Sequence, residues 1–176
     1  MGHFAITAIG RDRPGIVAGL TGALRDLGGN LEDVSSTILR GHFSMMLVVD
    51  APGDVGADRL RERLAAAAEP LGVQVTVSDV EAGTPERPNA THVLSVYGSD
   101  HPGIVARFAE LLAERDANIT DLSCRLTSGD APIYALIAEV ALPEGLDSDE
   151  LRGVIHDAAR EVGVDATFVP IEVETL

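Results

Sequence analysis

A chain of 176 residues with 45% hydrophobic and only 3% aromatic content is too apolar to remain disordered. It must fill its interior with Val, Ile, Leu and Ala, and it offers no stacking platform for nucleic-acid bases. The formal net charge is −15, from 13 basic residues, all Arg, against 28 acidic ones, a surface that repels phosphate backbones and anionic lipid. Direct nucleic-acid and membrane binding are therefore not expected. Cys124 is the only cysteine, so an intrachain disulfide and the cysteine-rich metal spacings are excluded. No apolar run reaches the length of a bilayer span, and no basic region with an apolar core and cleavage site opens the chain; a cytoplasmic protein is the expectation.

In chain order, His3 to Ile9 alternates as a strand apolar enough for a central position. Residues 10–18, Gly-Arg-Asp-Arg-Pro-Gly-Ile-Val-Ala, then lead into a helix whose Ile16, Val17, Leu20, Leu24 and Leu27 fall on one face before Gly28-Gly29 ends it. Leu31 to Leu39 alternates, with Val34, Ser36 and Ile38 opposite Asp33, Ser35 and Thr37. A turn at Gly41-His42 leads into a third strand, Phe43 to Val49, making a hairpin. From Ala57 to Leu71 the period is helical, Pro70 and Gly72 mark the exit, and Val73 to Val80 forms a fourth strand. The order is β-α-β-β-α-β.

The same order then returns. Gly98-Ser99-Asp100-His101-Pro102-Gly103-Ile104-Val105-Ala106 matches residues 10–18 at seven of nine positions. At the same offset Leu24 pairs with Leu112, Asn30 with Asn118, Asp33 with Asp121 and Ser35 with Ser123. Ser128-Gly129-Asp130-Ala131-Pro132 lengthens the second hairpin, after which Leu60 pairs with Leu151 and Gly72 with Gly163. Residues 1–81 and 91–176 are thus two domains, joined by a linker at 82–90 that holds Gly83, Pro85 and Pro88 and lacks apolar periodicity. The second half is the more acidic, so a protein partner docking there is expected to be basic.

This order is that of a ferredoxin-like α+β fold, here two in tandem: four-stranded antiparallel sheets with helices on one face. The other face of each sheet is bare unless the two halves pair or the chain dimerises, and at least one of these is expected.

The repeated turn has specific chemistry. Asp12 and Asp100 are N-cap residue types, Pro14 and Pro102 suit a first helical position, and Gly15 and Gly103 leave the helix N–H groups open to a small anion or carboxylate. A capped helix explains the same residues without a ligand.

A strand followed by Asp-x-Pro-Gly-Ile-Val, a helix, and Asn-Leu or Asn-Ile entering the second strand with Asp three residues after the Asn resembles the ACT domain, a small module that senses ligands in amino-acid metabolism. A chain of two such domains resembles the glycine cleavage system transcriptional repressor family. The resemblance implies an amino acid lying between two modules, held by the turn of one and the start of the second strand of the other. Position by position it implicates Asp12, Arg13, Pro14, Gly15, Ile16 and Val17 with Asn30 and Leu31, and Asp100, His101, Pro102, Gly103, Ile104 and Val105 with Asn118 and Ile119. Turn N–H groups would take the carboxylate and an Asn carbonyl the ammonium. One of each Ile-Val pair is expected in the core. Arg13 becomes His101 and Arg11 becomes Ser99, so the two seats differ in charge.

No catalytic set or cofactor motif stands out, and no metal site. The histidines His3, His42, His92, His101 and His156 are spread along the chain, and His101 reads as an exposed turn residue. Cys124 alternates with Leu122 and Leu126, the pattern of a buried structural thiol. The acids Asp147 and Asp149 look like a helix start. The expected function is a non-enzymatic amino-acid sensor, for glycine or serine, acting on a transcription factor or metabolic enzyme and working as a homodimer. The alternatives are an acyl-phosphate hydrolase, for which Arg13 and Asn30 are the candidate pair, and a ligand-free interaction module.

Overall fold

The structure, a computed structural model, describes residues 2–81, 88–127 and 133–171. The chain divides into two compact units, Met1–Pro85 and Glu86–Leu176. Part of the expected linker and the expected hairpin extension at 128–132 lie outside the described residues.

In the first unit β1 (Gly2–Arg11), α1 (Ile16–Asp26), β2 (Asn30–Leu39), β3 (His42–Ala51), α2 (Ala57–Ala68) and β4 (Val73–Val80) follow one another, with a short 3-10 turn at Glu69–Leu71. The sheet order is β2-β3-β1-β4, with all neighbours antiparallel. The second unit repeats it with β5 (His92–Gly98), α3 (Ile104–Ala113), β6 (Asn118–Leu126), β7 (Tyr134–Ala141), α4 (Ser148–Glu161) and β8 (Val164–Pro170), in the order β6-β7-β5-β8. Two ferredoxin-like βαββαβ units in tandem are therefore the architecture. The motif-bearing strand is central in each, flanked on both sides.

Alternation makes the core. Phe4, Ile6 and Ala8 point to one side of β1, where register sets them opposite Val49, Leu47 and Met45 of β3. Ile16, Leu20, Ala23 and Leu24 of α1 and Leu60, Leu64 and Ala68 of α2 join this surface in one buried cluster. In α3 the buried residues Ile104, Phe108, Leu111 and Leu112 keep the spacing found in α1, so both helices present the same stripe. Asp147 caps α4, accepting from the N–H groups of Asp149 and Glu150 at 2.8 and 3.3 Å. Taking the first unit by itself, Thr7, Ile9 and Met46 lie exposed on the face away from the helices.

Two sequence expectations are corrected. The β2–β3 hairpin turns at Arg40-Gly41, both at positive φ, rather than at Gly41-His42; two left-handed residues give a loop whose twist suits paired strands. Cys124 is exposed, not buried. Its strand β6 is a sheet edge, and Leu122 and Leu126 beside it are each 44% exposed. Apolar alternation marks a face, but only a covering helix buries it.

Gly10 and Gly98 close the two central strands where the fourth strand of each sheet begins. A Cβ on Gly10 would stand 2.8 Å from the Gly72 carbonyl oxygen, and one on Gly98 would stand 2.7 Å from Val164 Cγ1. Gly10→Ala and Gly98→Ala should each destabilise the protein by about 1–3 kcal/mol through overpacking. By contrast, Gly22→Ala and Gly153→Ala, inside helices with nothing within 4 Å of the added carbon, should stabilise by about 0.5–1 kcal/mol. Urea denaturation of the four variants checks the two opposite signs.

Candidate functional site

The repeated turn is built by Gly15 and Gly103, with φ of 98° and 101° and ψ of −11° and −12°. These are the angles of the third residue of a type II turn, which Pro14 and Pro102 precede. The helices therefore begin at Ile16 and Ile104. This corrects the capping assignment: Asp12 and Asp100 stand outside the helix, no side chain caps either one, and the prolines lie in the turn. The first helical bonds run from Gly19 N–H to the Gly15 carbonyl at 2.8 Å and from Arg107 N–H to the Gly103 carbonyl at 2.9 Å. The N–H groups of Ile16, Val17 and Ala18, and of Ile104, Val105 and Ala106, thus precede the ladder, at the positive end of the helix dipole. Ile16 and Ile104 are buried, while Val17 is exposed and Val105 half-buried, so each pair divides between core and surface.

Arg13 and His101 face the body of their units. Arg13 Nη1 donates to the Pro70 carbonyl at 3.4 Å, and His101 Nε2 lies 2.7 Å from the Val162 carbonyl. His101 is consequently half-buried and bonded, not a free exposed side chain.

Asn30 and Asn118 open the second strand of each unit, and a β-bulge follows each, between Leu31 and Asp33 and between Ile119 and Asp121. The sequence carried no sign of these bulges beyond the matching spacing; such irregularities re-aim side chains at a sheet edge. Asn30, Leu31 and Asn118 are exposed and Ile119 is half-buried. A cavity of about 200 Å³ adjoins the second bulge, lined by Pro88, Asn89, Ala90, Thr120, Asp121 and Glu139.

Register separates the two parts of the implied site within one unit. Asn30 pairs with Asp50, which pairs with His3, whereas the turn follows Arg11 at the far end of β1. At 3.3–3.4 Å per residue these places are about 27 Å apart along the strand. Asn118 likewise lies at the His92 end of β5 and the turn at its Gly98 end. Arg13 and Asn30, the pair a hydrolase would need, are not brought together within the unit.

The ACT domain family profile matches residues 3–78 and again 91–169. The chain belongs to the ACT domain family. It is a tandem ACT-domain protein of the regulatory type. A UPF0237 protein of Methanopyrus kandleri is 47% identical over 78 residues, 44% of this chain and 87% of that protein. Among solved structures, an unknown protein from Galdieria sulphuraria matches with a TM-score of 0.82 at 25% identity, over 97% of this chain and 99% of that one. A candidate glycine cleavage system transcriptional repressor shares the fold, with a TM-score of 0.75 at 18% identity over 98% of both chains.

In the second ACT module the turn has ionisable neighbours that the first lacks. Tyr134, which no sequence pattern singled out, has Cys124 and Asp100 as ionisable neighbours. By strand register Phe43 and Ser36 hold the matching places in the first module. Burial, then the Cys124 hydrogen bond, then the nearby Cys124 and Asp100 charges push the Tyr134 pKa up to about 12. The folded state thus holds this proton more tightly than the unfolded chain, whose tyrosine ionises at about 10. The stabilisation is complete below that value and is lost as pH rises toward about 12. Ultraviolet titration should show a tyrosine step near pH 12 that Tyr134→Phe removes, together with that share of the alkaline loss of stability.

Proposed function

We propose that this chain is an amino-acid sensor that acts through a protein partner and performs no catalysis of its own. The observation that carries the reading is the twice-built turn, in which a positive-φ glycine presents helix N–H groups beside an ACT strand. Such groups suit a carboxylate. The ligand seats comprise Asp12 to Val17 and Asp100 to Val105, with Asn30, Leu31, Asn118 and Ile119 completing them. Because turn and Asn lie at opposite ends of a sheet, a ligand using both is held by two modules. The modules are bounded at 1–81 and 91–176, and the chain works as a homodimer.

A ligand so held favours one pairing of modules over another, which is how binding reaches a partner. A small amino acid, glycine or serine, is the ligand proposed for these seats. The partner is a transcription factor or a metabolic enzyme, and regulation of glycine cleavage or related amino-acid metabolism in the cytoplasm fits the family.

A thermal-shift screen against the twenty amino acids tests this reading. Saturable stabilisation by one or two of them is expected, about 2.7 kcal/mol at a hundredfold excess over Kd. Asn30→Ala or Asn118→Ala should weaken that binding by about tenfold or more, the loss of one hydrogen bond to a charged group. No shift for any amino acid would overturn the sensor reading, and turnover of an acyl phosphate would establish an enzyme instead.

A further inference from the structure

Each turn is held against the exit of the second helix of its own module, by different chemistry in the two copies. In the second module His101 Nε2 lies 2.7 Å from the carbonyl of Val162, the residue that ends α4. A carbonyl only accepts, so this nitrogen carries the proton. Nδ1 of the same ring lies 3.1 Å from the Pro102 carbonyl. Arg107, one turn into α3, donates through Nε and Nη2 to Glu161 Oε2 at 3.1 and 2.8 Å. Glu161 and Val162 are consecutive, so the turn and the helix behind it grip neighbouring residues. In the first module Arg13 reaches Pro70 only at 3.4 Å. Gly19 stands where Arg107 does, and a Cβ there would meet Leu71 Cδ1 at 3.0 Å. Leu71 also lies closest to Gly15, 3.9 Å from the place of its missing Cβ.

We infer that His101 and Arg107 are positioning residues for the second turn, fixing it through Val162 and Glu161, whereas apolar packing of Leu71 on Gly15 and Gly19 fixes the first. The inference rests on the reading of the turns as ligand seats. It makes the two seats unequal: the second is preorganised by a polar clamp that salt weakens, the first by contacts that salt leaves alone. The replacement of Arg13 by His101 is then a change of tether and not of ligand charge.

Hydrogen exchange by mass spectrometry on the full chain tests this without a ligand. His101→Ala should speed exchange of the amides at 107–110, the first that the α3 ladder protects, by about five- to tenfold, the loss of one good hydrogen bond. His101→Gln, which keeps a donor at the reach of Nε2, should restore the slow rate, and amides at 19–22, the matching start of the α1 ladder, should not respond to either variant. In the unaltered protein, raising NaCl from low to high concentration should speed only the 107–110 segment. An unchanged rate in His101→Ala, failure of the Gln variant to rescue, or equal acceleration throughout residues 91–171 would overturn the assignment. Because no ligand enters these readouts, such a failure stands apart from a failure of the amino-acid screen.

Discussion

At Gly15 and Gly103 the backbone passes through φ near +100°, a conformation that costs an L side chain about 1–2 kcal/mol, and each unit is arranged around making that turn. The strand before it must end tightly against the next strand, which Gly10 and Gly98 permit by having no Cβ. The helix after it must fall back over the sheet at once, and Ile16 and Ile104, buried at the first helical position, fasten it there. Since that strand is flanked on both sides by antiparallel neighbours, the turn is delivered at the end of the most rigid part of the unit. A flexible recognition loop would lose ordering entropy on binding that this turn has already lost in folding.

The fold was legible because its signals are periodic. Alternation through Phe4, Ile6 and Ala8 and the helical stripe through Ile16, Leu20 and Leu24 report directly on the buried faces, and the repeat of both doubled the information. The site was less legible. Asp-x-Pro-Gly serves either a helix cap or a type II turn, since both use the same residue types; only the backbone angle at Gly15 distinguishes them. Cys124 looked buried because alternation identifies a face and cannot say whether the strand is central or at an edge. Arg13 and His101 differ in charge, which drew attention to ligand contacts, yet both reach helix-exit carbonyls that no local pattern could bring near.

Each turn lies at the opposite end of its sheet from Asn30 or Asn118, and the proposed sensing role has to be compatible with that separation. On the proposed reading, ligand binding and the association of modules are linked equilibria. The edge strands β2 and β6 leave Val34, Ile38, Leu122 and Leu126 exposed. A ligand with no preference between two placements would change nothing, however tightly it bound.

An amide-resolved NMR titration of the whole chain with the amino acid that stabilises it is the most direct test of where the ligand sits. The account predicts shifts concentrated at the amides of Gly15 to Ala18 or Gly103 to Ala106, accompanied by the side-chain amide of Asn30 or Asn118. Saturable binding that leaves both turns and both asparagines unmoved would contradict it.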